Sequence, residues 1–161
     1  CKCAEWSPDG SLLAAVPLNS SEAFFLSFDK RVSLFDGECV LAKSFGLDSR
    51  GAERDRTIAS IAWDPTGERI AVAFENGSRE DGTEVALFSV CTSPALDVNF
   101  RGDVVKCEDE RGTPLILFKP AFRLGALLTL VWESGRISFE PLHFKPAGAG
   151  SIGSDASRWY T

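Results

Sequence analysis

The sequence predicts an all-β fold in which one four-stranded unit is repeated about three times along the chain. A tryptophan-proline-glycine turn motif recurs at near-equal spacing, short apolar runs alternate with turn residues, and no segment has a convincing helical period. The chain has 161 residues, and its 14 Gly and 8 Pro are spread along its length, as expected for many short strands joined by tight turns. Four-stranded units repeated around an axis are the blades of a β-propeller.

Each copy of the repeat begins with a bulky aromatic residue, continues through a proline-containing turn and ends in a second strand. Trp6 and Trp63 begin the first two copies, and Phe118 begins a degenerate third copy. Proline presets the backbone of a tight turn, and glycine adopts the positive φ that such turns need, so each copy predicts a β-hairpin. The predicted turn residues are Trp6, Pro8, Asp9, Gly10, Trp63, Asp64, Pro65, Gly67, Phe118, Pro120 and Gly125.

Further strands follow each turn in chain order. They are predicted at Leu12–Val16, Ala23–Phe28, Cys39–Phe45, Ile70–Phe74, Glu84–Val90, Ala95–Phe100, Ala126–Trp132 and Arg136–Phe144. Leu12–Val16, Ile70–Phe74 and Ala126–Trp132 are almost continuously apolar, which favours strands buried on both faces. The polar segments between strands predict surface loops at Asp48–Thr57, Glu75–Thr83 and Arg101–Thr113.

The repeat divides the chain into three blades and a tail. Residues 1–57 and 58–113 are predicted as four-stranded blades, 114–145 as a last blade of three strands, and 146–161 as a flexible tail rich in Gly, Ala and Ser. Because the chain begins with Cys1 and contains no Met, we expect a fragment of a longer protein. The outer strand of the last blade is then expected to come from the part that precedes Cys1.

Charge and cysteine content exclude several classes of partner. The net charge of −6 repels a polyanion, so direct nucleic-acid binding is not expected. No run approaches about 18 apolar residues, so direct membrane insertion is not expected either. The 5 cysteines form no C-x-x-C pair, which favours reduced thiols over a metal site or a disulfide framework.

The sequence contains no recognisable catalytic constellation. His143 is the only histidine, and no G-x-S-x-G motif is present. Asp9 and Asp64 belong to the predicted turns, where side-chain capping of the backbone explains them. We therefore expect no enzymatic activity, no cofactor and no small-molecule substrate.

The aromatic residues at strand ends are predicted to lie in the core. Trp159 and Tyr160 lie beyond the predicted flexible tail. They are either an anchor for a partner protein or exposed residues near a chain end, and the sequence does not decide between the two.

The longer motifs resemble the C-terminal part of the aladin family of WD-repeat nucleoporins. Trp6-Ser7-Pro8-Asp9-Gly10 resembles WD-repeat turns in general, and three longer strings carry the family likeness over about residues 1–146. These strings are Ala62–Val72, Leu117–Leu128 and Trp132–Ile137, followed by Pro141-Leu142-His143-Phe144. Leu47–Thr57 and Val104–Arg111 depart from the family pattern.

The resemblance implies a WD40-type, seven-bladed propeller of which this chain holds the last three blades. It further implies a place at the nuclear pore complex in the nuclear envelope, other nucleoporins as partners, a transmembrane nucleoporin as anchor, and a role in nuclear import and at the mitotic spindle. It supplies no catalytic residues. Two alternatives remain open: a WD-repeat scaffold subunit of another intracellular assembly, and a propeller attached to a hydrolase.

Overall fold

The computed structural model describes residues 1–28, 39–46, 56–76, 83–107, 112–123 and 125–143. These residues form eleven strands and no helix, so the all-β prediction is confirmed. The strands are β1 (Cys3–Trp6), β2 (Leu12–Val16), β3 (Glu22–Phe28), β4 (Cys39–Gly46), β5 (Arg56–Trp63), β6 (Arg69–Asn76), β7 (Thr83–Cys91), β8 (Asp97–Cys107), β9 (Leu115–Lys119), β10 (Gly125–Val131) and β11 (Ile137–His143).

The strands pair in sequence order into three antiparallel sheets. Blade 1 contains β1 to β4, blade 2 contains β5 to β8, and blade 3 contains β9 to β11. The first strands of the three sheets are neighbours, since β1 contacts β5 and β5 contacts β9. Consecutive meanders packed in this way form part of a β-propeller, as the repeat predicts.

Two apolar layers hold the three blades together. One lies between blades 1 and 2, where Phe25 and Trp63 pack edge to face with their ring centroids 5.7 Å apart. The other lies between blades 2 and 3 and contains Phe118, Leu128 and Trp132. Each layer buries apolar side chains from two sheets, so the blades stabilise each other through neighbour contacts.

The central blade differs in burial from the two outer blades. All of Ile70–Phe74 in β6 is buried, because blade 2 has a neighbour on each side. In β2 and β10 only alternate residues are buried. The prediction of burial on both faces therefore holds for β6 and is wrong for β2 and β10.

The last strand of blade 2 is longer than its sequence predicts. Ala95–Phe100 was the predicted strand and Arg101–Thr113 the predicted loop, whereas β8 runs from Asp97 to Cys107. The register of β8 against β7 shifts twice, leaving Arg101 and Val104 as extra residues at two β-bulges. Bulges break the alternation of apolar and polar residues by which a strand is recognised in sequence, and an outer strand tolerates polar residues.

Several sequence predictions fall outside the described residues. They concern the tail 146–161, with Trp159 and Tyr160, and most of the Asp48–Thr57 loop. Among the cysteines whose side chains are described, Cys1, Cys3 and Cys91 are free thiols. Across the described part of the chain, no helix reaches the length and hydropathy needed to cross a bilayer.

Candidate protein-interaction site

The turn between β1 and β2 is stabilised by two backbone hydrogen bonds and a side-chain cap. The Gly10 N–H donates to the Ser7 carbonyl at 2.8 Å, and the Ser7 N–H donates to the Leu12 carbonyl at 2.8 Å. The Leu12 N–H also donates to Ser7 Oγ at 3.0 Å, and Ser7 Oγ donates to Asp9 Oδ1 at 2.6 Å. Gly10 has a φ of 69°, which explains why glycine occupies this position.

The turn between β5 and β6 has the same two backbone hydrogen bonds as the β1–β2 turn. The positions of its hydroxyl and carboxylate side chains are exchanged. The Arg69 N–H donates to Asp64 Oδ1 at 3.1 Å, in place of the Leu12 to Ser7 bond in the first turn. Thr66 Oγ1 donates to Asp64 Oδ2 at 2.7 Å, so here the carboxylate precedes the hydroxyl. Asp64 is fully buried and also meets Arg69 Nη1 at 3.5 Å.

In blade 3, the glycine of the repeat lies farther along the chain from the aromatic and proline residues than in blades 1 and 2. Phe118 lies in β9, Pro120 in the turn that follows, and Gly125, with a φ of 142°, at the start of β10. A tight turn with a similar pair of backbone bonds, one residue shorter than the other two, lies between β10 and β11. There the Gly135 N–H donates to the Trp132 carbonyl and the Trp132 N–H to the Arg136 carbonyl, both at 2.9 Å.

In blades 2 and 3, the aromatic residue that begins the repeat faces the preceding blade. Trp63 and Phe118 are only 5% and 8% exposed, because blade 1 covers Trp63 and blade 2 covers Phe118. Trp6 is 49% exposed. The expectation that every strand-end aromatic lies in the core is therefore wrong for Trp6, which lies on the face of blade 1 opposite to blade 2.

Glu5 joins blades 1 and 2 through Trp63. Its Oε2 accepts the Trp63 backbone N–H at 3.1 Å, and its carbonyl accepts the Trp63 indole N–H at 3.3 Å. Burial raises the pKa of the Glu5 carboxyl above its ordinary value, and the hydrogen bond from Trp63 offsets part of that rise.

Three turns at one end of blades 1 and 2 enclose a cleft of about 520 Å³, which we call the turn cleft. The β1–β2 turn, the β5–β6 turn and the β7–β8 turn form its walls, and the first residues of β8 form one side. Its polar lining includes Asp9, Ser11, Glu68, Arg69, Thr92 and Arg101. Sequence reasoning assigned Asp9 to a turn and did not find this cleft, because its residues come from three separate parts of the chain.

The charges that line the turn cleft are partly neutralised within it. Asp9 Oδ1 accepts hydrogen bonds from Ser7 Oγ and from the backbone and side chain of Ser11. Glu68 pairs with Arg69, whose Nη1 lies 3.3 Å from the Glu68 carboxylate.

Blade 3 presents an apolar face to solvent. Leu115, Leu117, Ile137 and Phe139 are all exposed, and Phe139 is 60% accessible. The register places Leu117 and Phe139 on either side of Thr129, so they form a row across the sheet. An apolar patch of this kind is typical of a surface that another protein element covers.

The described residues contain no group of three metal-ligating side chains. His143, the only histidine of the sequence, is exposed at the end of β11.

No family model matches the chain. A curated protein named Aladin from Arabidopsis thaliana is 24% identical to it over 143 residues, which cover 88% of this chain. The resemblance drawn from the sequence motifs is thereby confirmed. The chain spans about a third of that relative, since the alignment covers 31% of its length.

Proposed function

We propose that this chain is part of a WD-repeat nucleoporin of the aladin type, a non-catalytic scaffold component of the nuclear pore complex. The observation that carries the proposal is the similarity to Aladin across 88% of the chain. The three consecutive blades support it, because a propeller presents many loops and edges for binding other proteins.

The proposal includes a seven-bladed ring that is completed by polypeptide N-terminal to Cys1. The outer edge of β11 has no partner strand in the described chain, whereas β3 and β7 each pair with a fourth strand. A strand supplied from the N-terminal side would complete blade 3 and remove an open sheet edge.

The proposed partners are other nucleoporins, including a transmembrane nucleoporin that holds the propeller at the nuclear envelope. Through these contacts the protein supports nucleocytoplasmic transport. It binds no nucleic acid directly, in keeping with a net charge of −6, and it reaches the membrane through its partner rather than by inserting into it.

Proximity labelling of the complete polypeptide in its native cells tests this proposal. The expected result is that nucleoporins, among them a membrane-spanning one, are enriched over a control in which the labelling enzyme is fused to an unrelated propeller. Enrichment of a different intracellular assembly would reject the pore assignment and favour a WD-repeat scaffold elsewhere.

A further inference from the structure

Arg101 lines the turn cleft and has no charged partner among the described residues. It lies at a β-bulge of β8, where the register passes from Phe88 opposite Phe100 to Leu87 opposite Gly102. The extra residue at a bulge directs its side chain differently from a regular strand residue. In this case the side chain lines the turn cleft.

One hydrogen bond holds the Arg101 guanidinium in place. Its Nε donates to Ser89 Oγ at 2.8 Å. No carboxylate of the described residues pairs with Arg101, while the Glu68 carboxylate pairs with Arg69. The two terminal NH₂ groups of Arg101 therefore remain for a ligand, and their planar arrangement fits a carboxylate or a phosphate.

The rest of the cleft is suited to an extended polypeptide. Thr92 and Ser93 are exposed, line the cleft and make no side-chain hydrogen bond with other described residues. Hydroxyl groups both donate and accept, which suits the N–H and C=O groups of an extended segment. Its volume of about 520 Å³ is typical of ligand sites, and its lining is about equally polar and apolar, whereas most small-molecule pockets are predominantly apolar.

We infer that the turn cleft binds an extended acidic segment of a partner protein, with Arg101 holding a carboxylate or phosphate group of that segment. This inference rests on the proposed scaffold function and names the chemistry of one partner. The carboxylate of Asp or Glu and the phosphate of a phosphoserine share the same recognition chemistry, and the experiment below distinguishes them.

Fluorescence anisotropy with the complete polypeptide tests the inference. Three labelled seven-residue probes are used: Gly-Ser-Glu-Asp-Glu-Ser-Gly, the same peptide with phosphoserine in place of the central Asp, and the same peptide with Lys at the three central positions. We expect the acidic probes to bind, the basic probe not to bind, and affinity to fall between about 0.05 and 0.2 M salt. The tighter of the two acidic probes identifies the anionic group.

Matched arginine variants assign the binding to the cleft. Arg101→Gln is expected to weaken the acidic probes about tenfold or more, and Arg101→Lys to weaken them less, because lysine keeps the charge and loses the bidentate geometry. Arg123→Gln changes an exposed arginine in the β9–β10 turn and is expected to bind like the unaltered protein. Equal thermal midpoints of the variants show that each is folded.

Two results would overturn the inference: equal affinity of the Arg101→Gln variant and the unaltered protein, or no binding of either acidic probe up to about 1 mM. Nucleoporin labelling that persists in either case leaves the scaffold proposal standing. Probe binding that depends on Arg101, without nucleoporin labelling, would retain the cleft as a peptide site and reject the pore assignment.

Discussion

At the residue scale, the β1–β2 turn and the β5–β6 turn cap the same backbone N–H with different side chains. Ser7 and Asp9 in the first turn correspond to Asp64 and Thr66 in the second, so the hydroxyl and the carboxylate have exchanged places. Both pairs cap the N–H of the residue that begins the next hairpin strand. In these two turns the hydroxyl and the carboxylate therefore occur in either order and cap the same backbone group.

Replacing the buried carboxylate of the second turn tests this account. Asp64→Ala removes a fully buried carboxylate and leaves the partly buried Arg69 N–H and the Thr66 hydroxyl without their acceptor, and we expect a loss of about 3 kcal/mol in unfolding free energy. The double substitution Asp64→Ser with Thr66→Asp rebuilds the chemistry of the first turn and is expected to recover more than half of that loss. Urea unfolding of the complete polypeptide measures both.

An exposed carboxylate beside the turn serves as the control. Glu68→Ala removes a surface partner of Arg69 and is expected to cost no more than about 0.5 kcal/mol. A double variant as unstable as Asp64→Ala would show that the exchange of hydroxyl and carboxylate is not tolerated.

Glu5 predicts a pH dependence of stability. Burial raises its pKa in the folded protein above the ordinary value of 4.5, so between those two pKa values the native state binds more protons than the unfolded state. Its contribution to stability is therefore present below pH 4.5 and is lost as the pH rises through the folded pKa. Glu5→Gln keeps an oxygen acceptor for the Trp63 N–H and removes the titration.

We expect the Glu5→Gln variant to have a higher thermal midpoint, relative to the unaltered protein, at pH 7.5 than at pH 4. Glu22→Gln, at an exposed position of β3, is the control and is expected to show no such trend. A difference between Glu5→Gln and the unaltered protein that is independent of pH would contradict the assignment of the titration to Glu5.

At the element scale, the hairpins could be predicted from sequence, and the longest strand could not. Trp6-Ser7-Pro8-Asp9-Gly10 combines a φ-restricting proline with a glycine at positive φ, so local chemistry alone determines where β1 ends and β2 begins. The bulges at Arg101 and Val104 follow from pairing with β7, and no short stretch of sequence encodes that pairing. The end of β8 was therefore predicted seven residues too early.

The candidate site was less predictable than the fold, for a related reason. The turn residues were identified individually, but the turn cleft exists only where three turns from two blades meet. Likewise, the exposure of Trp6 and the burial of Trp63 follow from which neighbouring blade is present, because the two residues have the same local sequence context.

Packing between blades 1 and 2 predicts that substitutions of Phe25 in β3 lower the unfolding free energy by amounts that depend on the size of the new side chain. Phe25 is fully buried and packs edge to face on Trp63, so Phe25→Ala is expected to cost about 4 kcal/mol and Phe25→Leu about 1 kcal/mol. Leu18→Ala, at a residue that is 69% exposed, is expected to change stability by less than about 0.5 kcal/mol. Chemical unfolding of the complete polypeptide gives all three values, and equal costs at positions 25 and 18 would contradict the packing.

At the scale of the whole molecule, the chain is a series of sheets with apolar faces at both ends. Trp6 lies on the open face of blade 1, and Leu117 and Phe139 lie on the open face of blade 3. The equivalents of Trp6 in the other two blades are covered by the preceding blade. Exposed apolar residues of this kind are typical of a face that another protein element covers.

These faces predict that residues 1–161, produced alone, associate with themselves. Phe139→Ser is expected to increase the monomer fraction in sedimentation velocity, because it removes an aromatic ring that is 60% exposed on the apolar face. Arg123→Ser alters an exposed residue of the β9–β10 turn, outside this row of apolar side chains, and should leave association unchanged. A monodisperse monomer of the unaltered chain that melts cooperatively would contradict this account.

The cellular location of the tagged complete polypeptide tests the central claim most directly. Its fluorescence is imaged in interphase cells together with a marker of the nuclear pore complex. A scaffold nucleoporin predicts a punctate signal at the nuclear rim that coincides with the marker. A diffuse or vesicular signal without that coincidence would contradict the nuclear-pore function, although the three propeller blades would remain.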